Sequence, residues 1–293
     1  MIKHILYSLF ILFLVSCEKS DLLDTTGKLV LKSTNLPKIE SGYEYRVWLH
    51  TSGFNVLAGS FNIQTDGTQS PTLFQGIDVA DLNAADSIYI TIDKTSNSGI
   101  NKKFIIMAGK FSGDNISLTS TDSQSILNDF SGKFQFKTPT TITNTDEKSG
   151  IWFYNTSNIS TLNLSTKLSP PFKYQAWLQI TANSIIYNLN MGSFTTSAVA
   201  DDFNSYSSTE NTTPSFPGED FITNINGLGI VFPLDISNYS SKLMLQLVPS
   251  DYTSEITPFG FTVLKAEIAS SGLVNNTDYN FTKEVYSATG NRK

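Results

Sequence analysis

Four carboxylates, Asp201, Asp202, Glu219 and Asp220, are the groups of this 293-residue chain that could do chemistry together. Oxygen ligands drawn from one loop suit a calcium ion, and a facing carboxylate pair suits acid-base work on a glycosidic bond. Their spacing matches no calcium loop, however, and aspartates in Ser- and Asn-rich segments commonly form turns or caps. The expectation is therefore no cofactor, with a structural calcium as the one metal these residues suggest. Histidine excludes more. Apart from His4 the chain holds only His50, so a Ser-His-Asp triad would have to run through it and a His-rich zinc site cannot be assembled. Gly227-Leu228-Gly229 is followed by Ile230, Val231 and Phe232 rather than another glycine, and Gly109-Lys110 and Gly132-Lys133 lack the rest of a phosphate loop. Nor is there a Gly-x-Ser-x-Gly elbow or a paired-histidine zinc motif. These exclusions lead to the expectation that the chain is not an enzyme.

Two tryptophans are the candidate ligand-binding side chains. Trp48 alternates with Arg46 and His50, and Trp177 with Gln175 and Gln179. On a strand such residues share one face, so Trp48, Trp177, Arg46, His50 and Gln175 together could offer a sugar-stacking surface. The competing reading is packing, the usual fate of large aromatics near a sheet. Trp152, within Gly150-Ile151-Trp152-Phe153-Tyr154, reads as core.

The elements that would position these residues are strands. Short β-branched and aromatic runs separated by Gly, Pro, Asn and Asp clusters point to an all-β fold with mostly antiparallel strands. Segments also match one another in order. Tyr43 to Leu49 aligns with Phe172 to Leu178, and Ala58 to Phe61 with Met191 to Phe194. Lys28 to Leu36, followed by Pro37, aligns with Thr161 to Leu168 before Pro170. Ser87 to Asp93 aligns with Lys242 to Val248, and Phe104 to Phe111 with Phe261 to Ile268. This order implies a duplication, hence two tandem Ig-like β-sandwich modules. The expected boundaries are a first repeat over 27–121, a short helical linker over 122–130 capped by Asp122, a second repeat over 131–274 with a long insertion at 195–241, and a polar C-terminal tail over 275–293. Within that tail, Tyr279 to Tyr286 is a candidate last strand. Asp78, Asp81 and Asp86 read as solvated turn residues. A two-residue turn at Gly53-Phe54 would set Trp48 opposite Gly59, where the ring could cover bare backbone.

The chain begins with Lys3, an apolar run from Ile5 to Val15, and Ser16-Cys17. That run is too short to cross a bilayer and reads as a cleaved export signal over 1–17, followed by a tether over 18–26. Leu14-Val15-Ser16-Cys17 resembles the lipobox of bacterial lipoproteins, which implies that Cys17, the only cysteine, carries the acyl chains that hold the protein to a membrane. Glu18 after the cysteine implies, by the same resemblance, the outer membrane, facing either the periplasm or the cell surface. The formal net charge is −6, which argues against nucleic acid as a partner.

Leu36-Pro37, Tyr45 to Leu49, Ala58 to Phe61, Asp66-Gly67 and Ile88 to Asp93 form a pattern similar to the extracytoplasmic C-terminal domain of anti-sigma-K factors. The second half, through Ser149 to Phe153, Tyr174 to Leu178, Gly192 to Phe194, Asp201 to Phe203 and Phe216 to Phe221, resembles the anti-sigma-factor-like domain of related lipoproteins. The resemblance implies a role in sensing, partner binding or structural display, without the sigma-binding segment. The function expected is a lipid-anchored, non-enzymatic envelope protein that binds an envelope protein or serves a structural role. The alternatives are an accessory glycan-binding surface lipoprotein and an extracytoplasmic partner in envelope signalling.

Overall fold

The computed structural model describes residues 25–96, 104–143, 147–164, 172–225 and 227–293. Cys17 and most of the expected tether lie outside these. Alternation of apolar and polar residues sets the strands of the first half: β1 (Thr26–Thr34), β2 (Tyr43–His50), β3 (Asn55–Ile63), β4 (Gln69–Ser70), β5 (Leu73–Asp78), β6 (Ser87–Lys94), β7 (Ile105–Ser112) and β8 (Asn115–Thr119). A short helix, α1 (Val79–Ala84), links β5 to β6. The chain continues through β9 (Ser131–Phe136), β10 (Gly150–Trp152), β11 (Leu162–Asn163), β12 (Phe172–Ala182), β13 (Ile185–Phe194) and β14 (Gly218–Asp220). It ends with β15 (Ser240–Pro249), β16 (Thr262–Ile268), β17 (Tyr279–Asn280), β18 (Thr282–Lys283) and β19 (Ser287–Arg292).

The fold is all-β, and its paired strands are antiparallel. One sheet has nine strands in the order β4-β3-β2-β6-β7-β8-β19-β1-β5. Its ends meet, because β4 and β5 are consecutive in sequence and the Phe74 ring of β5 lies against Gly59 of β3. A second sheet runs β13-β12-β15-β16-β18, and a third runs β11-β9-β10-β14 with β17 also paired to β9. β2 and β12 hold equivalent positions, each between a hairpin partner and a crossover strand. Trp48 faces Tyr89 across β2 and β6 as Trp177 faces Met244 across β12 and β15. Ile90 pairs with Met107 as Leu245 pairs with Leu264.

The expected linear division does not hold. β19, placed by sequence in a polar tail, sits between β8 and β1 with Ala288 opposite Leu118 and Ser33. The first sheet is thus completed only after the chain has built the other two. One apolar cluster runs from Leu29 to Ala288 without a break. The two halves join at the margin of the large sheet where β2 and β7 begin. There Phe104 lies 3.8 Å from Phe172 between ring centroids, Tyr43 meets Phe259 edge-on at 5.1 Å, and the Glu40 N–H donates to the Phe259 carbonyl at 3.0 Å.

Two local expectations also change. Residues 122–130 form turns, not a helix. The Asp122 carboxylate accepts the Gln124 N–H and the Ser125 hydroxyl oxygen accepts the Leu127 N–H; such side-chain bonds compete with a helical ladder. Ile126, Leu127 and Phe130 are buried in the common core, so this segment is no linker. The helix that does form starts at Asp78, whose carboxylate accepts the Ala80 N–H as an N-cap.

Deleting residues 287–293 strips β1 and β8 of their shared partner. The expected outcome is loss of the cooperative unfolding transition in urea, followed by circular dichroism. A truncated chain that melts like the intact one would sink this account. Proteolytic cutting within 121–130 is likewise expected to yield no stable fragment.

Candidate functional site

Strand β2 points Tyr45, Val47 and Leu49 into the core and Arg46, Trp48 and His50 to the other face. That outer face is not open. Trp48 is only 3% exposed and Trp177 is 0% exposed, so neither ring can serve as a stacking platform for a sugar. The Trp48 indole N–H donates to the Thr91 hydroxyl at 2.9 Å, and that hydroxyl donates to Asp93 at 2.5 Å. Burial raises the Asp93 pKa, against the pull of Thr91 and Arg46. Arg46 is itself buried, with its Nε donating to Glu44 at 2.8 Å and a second nitrogen to the Lys94 carbonyl. Gln175 is buried and donates to the Ser254 carbonyl at 3.1 Å. His50 lies at the other end of β2, with Nδ1 2.6 Å from Asn55 Oδ1. The five candidate glycan-binding residues are therefore not brought together as one surface.

The hairpin register explains part of the difference. The β2–β3 loop spans four residues, and a bulge at Ala58 sets Trp48 opposite Leu57 and Val47 opposite Gly59. Phe74, not Trp48, covers Gly59. Trp177 likewise faces Asn190. Gly192, at φ +87°, instead receives the Asp201 carboxylate, and a Cβ there would stand 2.1 Å from Asp201 Oδ1.

That contact reveals what the acidic cluster does. Asp201 accepts the Gly218 N–H on one oxygen and the Phe203 N–H on the other, both at 2.9 Å. Asp202 accepts the Ser193 N–H at 2.6 Å and returns its own N–H to the Ser193 carbonyl. Glu219 accepts a hydrogen bond from the Ser207 hydroxyl. Asp220, fully buried, accepts the Trp152 indole N–H at 2.5 Å and the Thr140 N–H at 2.8 Å. These carboxylates are clamps that fix the 195–241 insertion to β13, to β10 and to the segment after β9. They do not converge as ligands: among the described residues no group of three or more His, Cys, Asp or Glu is placed to hold a metal. The calcium expectation thus finds no cage.

A hollow of about 540 Å³ is lined by Val199, Asp201, Asp202, Phe203 and Pro214, but not by Glu219. Burial pushes Asp201 up to about 7, against its N–H donors, and Glu219 up to about 9. Sequence reasoning also missed Lys137. Its ammonium sits 3.2 Å from the Tyr154 ring centroid and donates to the Tyr154 carbonyl at 2.7 Å, and burial lowers its pKa to about 8. A lone Lys between Phe136 and Thr138 carries no sequence signal for this. Its hydrogen bonds and ring contact make it a structural strut.

Exposed apolar residues occur at several places, among them one hairpin tip. The β12–β13 hairpin turns through Asn183 and Ser184, both in the left-handed region, and its tip exposes Ile185 and Ile186 at 53% and 60%. Beside it, the loop closed by Asn224 and Leu228 brings Gly229 against Tyr187 and leaves Ile225 and Val231 exposed.

Because Asp201 and Glu219 hold protons more tightly when folded, their stabilising share is complete below the ordinary carboxylate range. It is lost as pH rises toward about 7 and about 9 respectively. The melting temperature is therefore expected to fall between pH 5 and pH 8, as read by calorimetry, and Glu219→Gln is expected to flatten that fall. A wild-type profile that rises over this interval overturns the assignment. Comparison of the chain with protein families, with curated proteins and with solved structures finds no match in any of the three.

Proposed function

We propose that this chain is a non-enzymatic, lipid-anchored protein of the bacterial cell envelope that holds a binding surface away from the membrane for a protein partner. The observation that carries the reading is the polarity of the molecule. β1 begins at Thr26 on the margin of the nine-stranded sheet that also holds the ends of β2, β5, β7 and β19. The second half is joined to the opposite margin. From that junction β12 runs eleven residues outward, about 35 Å at strand rise, to the tip carrying Ile185 and Ile186.

Anchoring through Cys17 would then place the first half nearest the lipid and this apolar tip farthest from it. Single exposed apolar residues are ordinary; here Ile185 and Ile186 start β13 at the hairpin tip, and the loop that sets Gly229 against Tyr187 carries Ile225 and Val231, which makes this end the candidate interaction site. The occupied carboxylates and the closed tryptophan rows favour binding over catalysis. They also leave the glycan reading without its platform. No helix among the described residues is long and apolar enough to span a membrane; in this reading the acyl chains on Cys17 hold the protein there.

The test has two arms. Wild-type chain is expected to take up labelled palmitate and sediment with membranes, and Cys17→Ala to do neither. A photo-crosslinking residue at Ile185 is expected to capture a specific envelope protein that the same probe at Ser52, on the opposite end, does not. Equal capture at the two sites, or none, would overturn the binding surface; unlabelled wild type would overturn the anchor.

A further inference from the structure

Deepening that reading, we infer that β13 is a strand-addition site: an extended, uncharged segment of the partner pairs with its open edge over Ile186 to Asn188. The two-residue turn makes Ala182 and Ile185 the first hydrogen-bonded pair of the hairpin. Alternation then turns the backbone groups of Ile185 and Tyr187 inward to β12 and those of Ile186 and Asn188 outward. β13 is the last strand of its sheet, and among the described residues no backbone group bonds to Ile186 or Asn188 from outside. Farther along, the edge is closed, because Asp202 pairs with Ser193 and Asp201 covers Gly192. The open run is therefore short and defined.

Proteins ordinarily guard such edges with charge, proline, short strands or a covering element. The other margins here follow that rule. β18 has two residues, one of them Lys283. β14 is wholly buried, β11 has two residues, and the nine-stranded sheet meets itself. Ser184 to Asn190 contains no charge and no proline, and its β-branched and aromatic side chains favour pairing. The loop that sets Gly229 against Tyr187 carries the exposed Ile225 and Val231, apolar groups that could meet the added strand's side chains.

The occupant is a partner strand and not a second copy. Antiparallel pairing of two β13 edges requires a twofold axis through the sheet, which turns the second molecule end for end. Two copies held in one leaflet cannot meet that way, because the span from Cys17 to Thr26 reaches about 30 Å at full extension. This last step rests on the anchored reading, whereas the edge itself does not.

The probe is a blocked, fluorescein-tagged decapeptide of alternating threonine and valine, titrated against the whole chain in detergent and followed by anisotropy. Saturable binding is expected. The same peptide N-methylated at alternate residues along one edge is expected not to bind, since its backbone donors are gone. Ile186→Pro, whose lost N–H points outward, is expected to weaken binding at least about tenfold without lowering the melting temperature. Thr181→Lys, on the paired strand β12, is expected to leave binding within about twofold. Binding that survives N-methylation, or no binding at all, overturns the site. Concentration-dependent dimers in sedimentation, abolished by Ile186→Pro, overturn the choice of occupant. Because the titration needs no membrane, failure of the edge is separable from failure of the anchor.

Discussion

The structure depends on the placement of its last strand. β19 pairs with β8 on one side and β1 on the other, so the first sheet cannot close until the chain has returned from the second half. Ala288 enters the core, and Gly290 lets the Val30 carbonyl approach to 2.2 Å from where a Cβ would be. Arg292 fastens the end by donating to the carbonyls of Leu82, Ala85 and Gly113. A non-local pairing of this kind costs loop-closure entropy early and repays it late. The shared apolar cluster and the aromatic junction at Phe104 and Phe172 are what repay it.

The insertion obeys a related constraint. Long irregular loops are rare in compact domains because their polar backbone must be satisfied. Here buried carboxylates supply acceptors where a strand ladder would otherwise stand. Asp201 answers for the N–H groups of Gly218 and Phe203, and Asp220 for Thr140. Burial costs are avoided in part by protonation, which is why Glu219 is held neutral near physiological pH. The same four residues that look like a ligand set in sequence each bond to the chain around them.

The all-β, antiparallel character of the fold was legible from alternation and turn clusters. The Tyr-x-x-Trp-Leu strands, their hairpin partners and the strand crossing back beside them all form, with equivalent pairs in β2–β6 and β12–β15. What escaped was tertiary. The bulge at Ala58 shifts Trp48 by one step and cannot be read from turn residues alone. Ser287 to Arg292, a polar run with no apolar stretch, reads as a tail because its strand character comes from two neighbours distant in sequence. Residues 122–130 look helical until Asp122 and Ser125 divert the backbone. The tryptophans mislead for a simpler reason: alternation tells which face a side chain takes, not whether that face is covered.

That distinction also decides where recognition can occur. A sheet offers a partner either its face or its edge. The faces carrying Trp48 and Trp177 are closed at those rows, and Asp201, Asp202 and Asp220 are engaged by N–H groups of the chain itself. An edge differs because its unmet donors and acceptors are fixed by strand geometry and cannot be removed by side-chain packing. Only a charge, a proline or a covering strand removes them, and between Ser184 and Asn190 the chain supplies none of these. The hairpin turn fixes which residues face outward, and the clamp at Asp201 and Asp202 fixes where the open run stops. Length, register and polarity of the added strand are therefore set by contacts that the fold needs for its own stability.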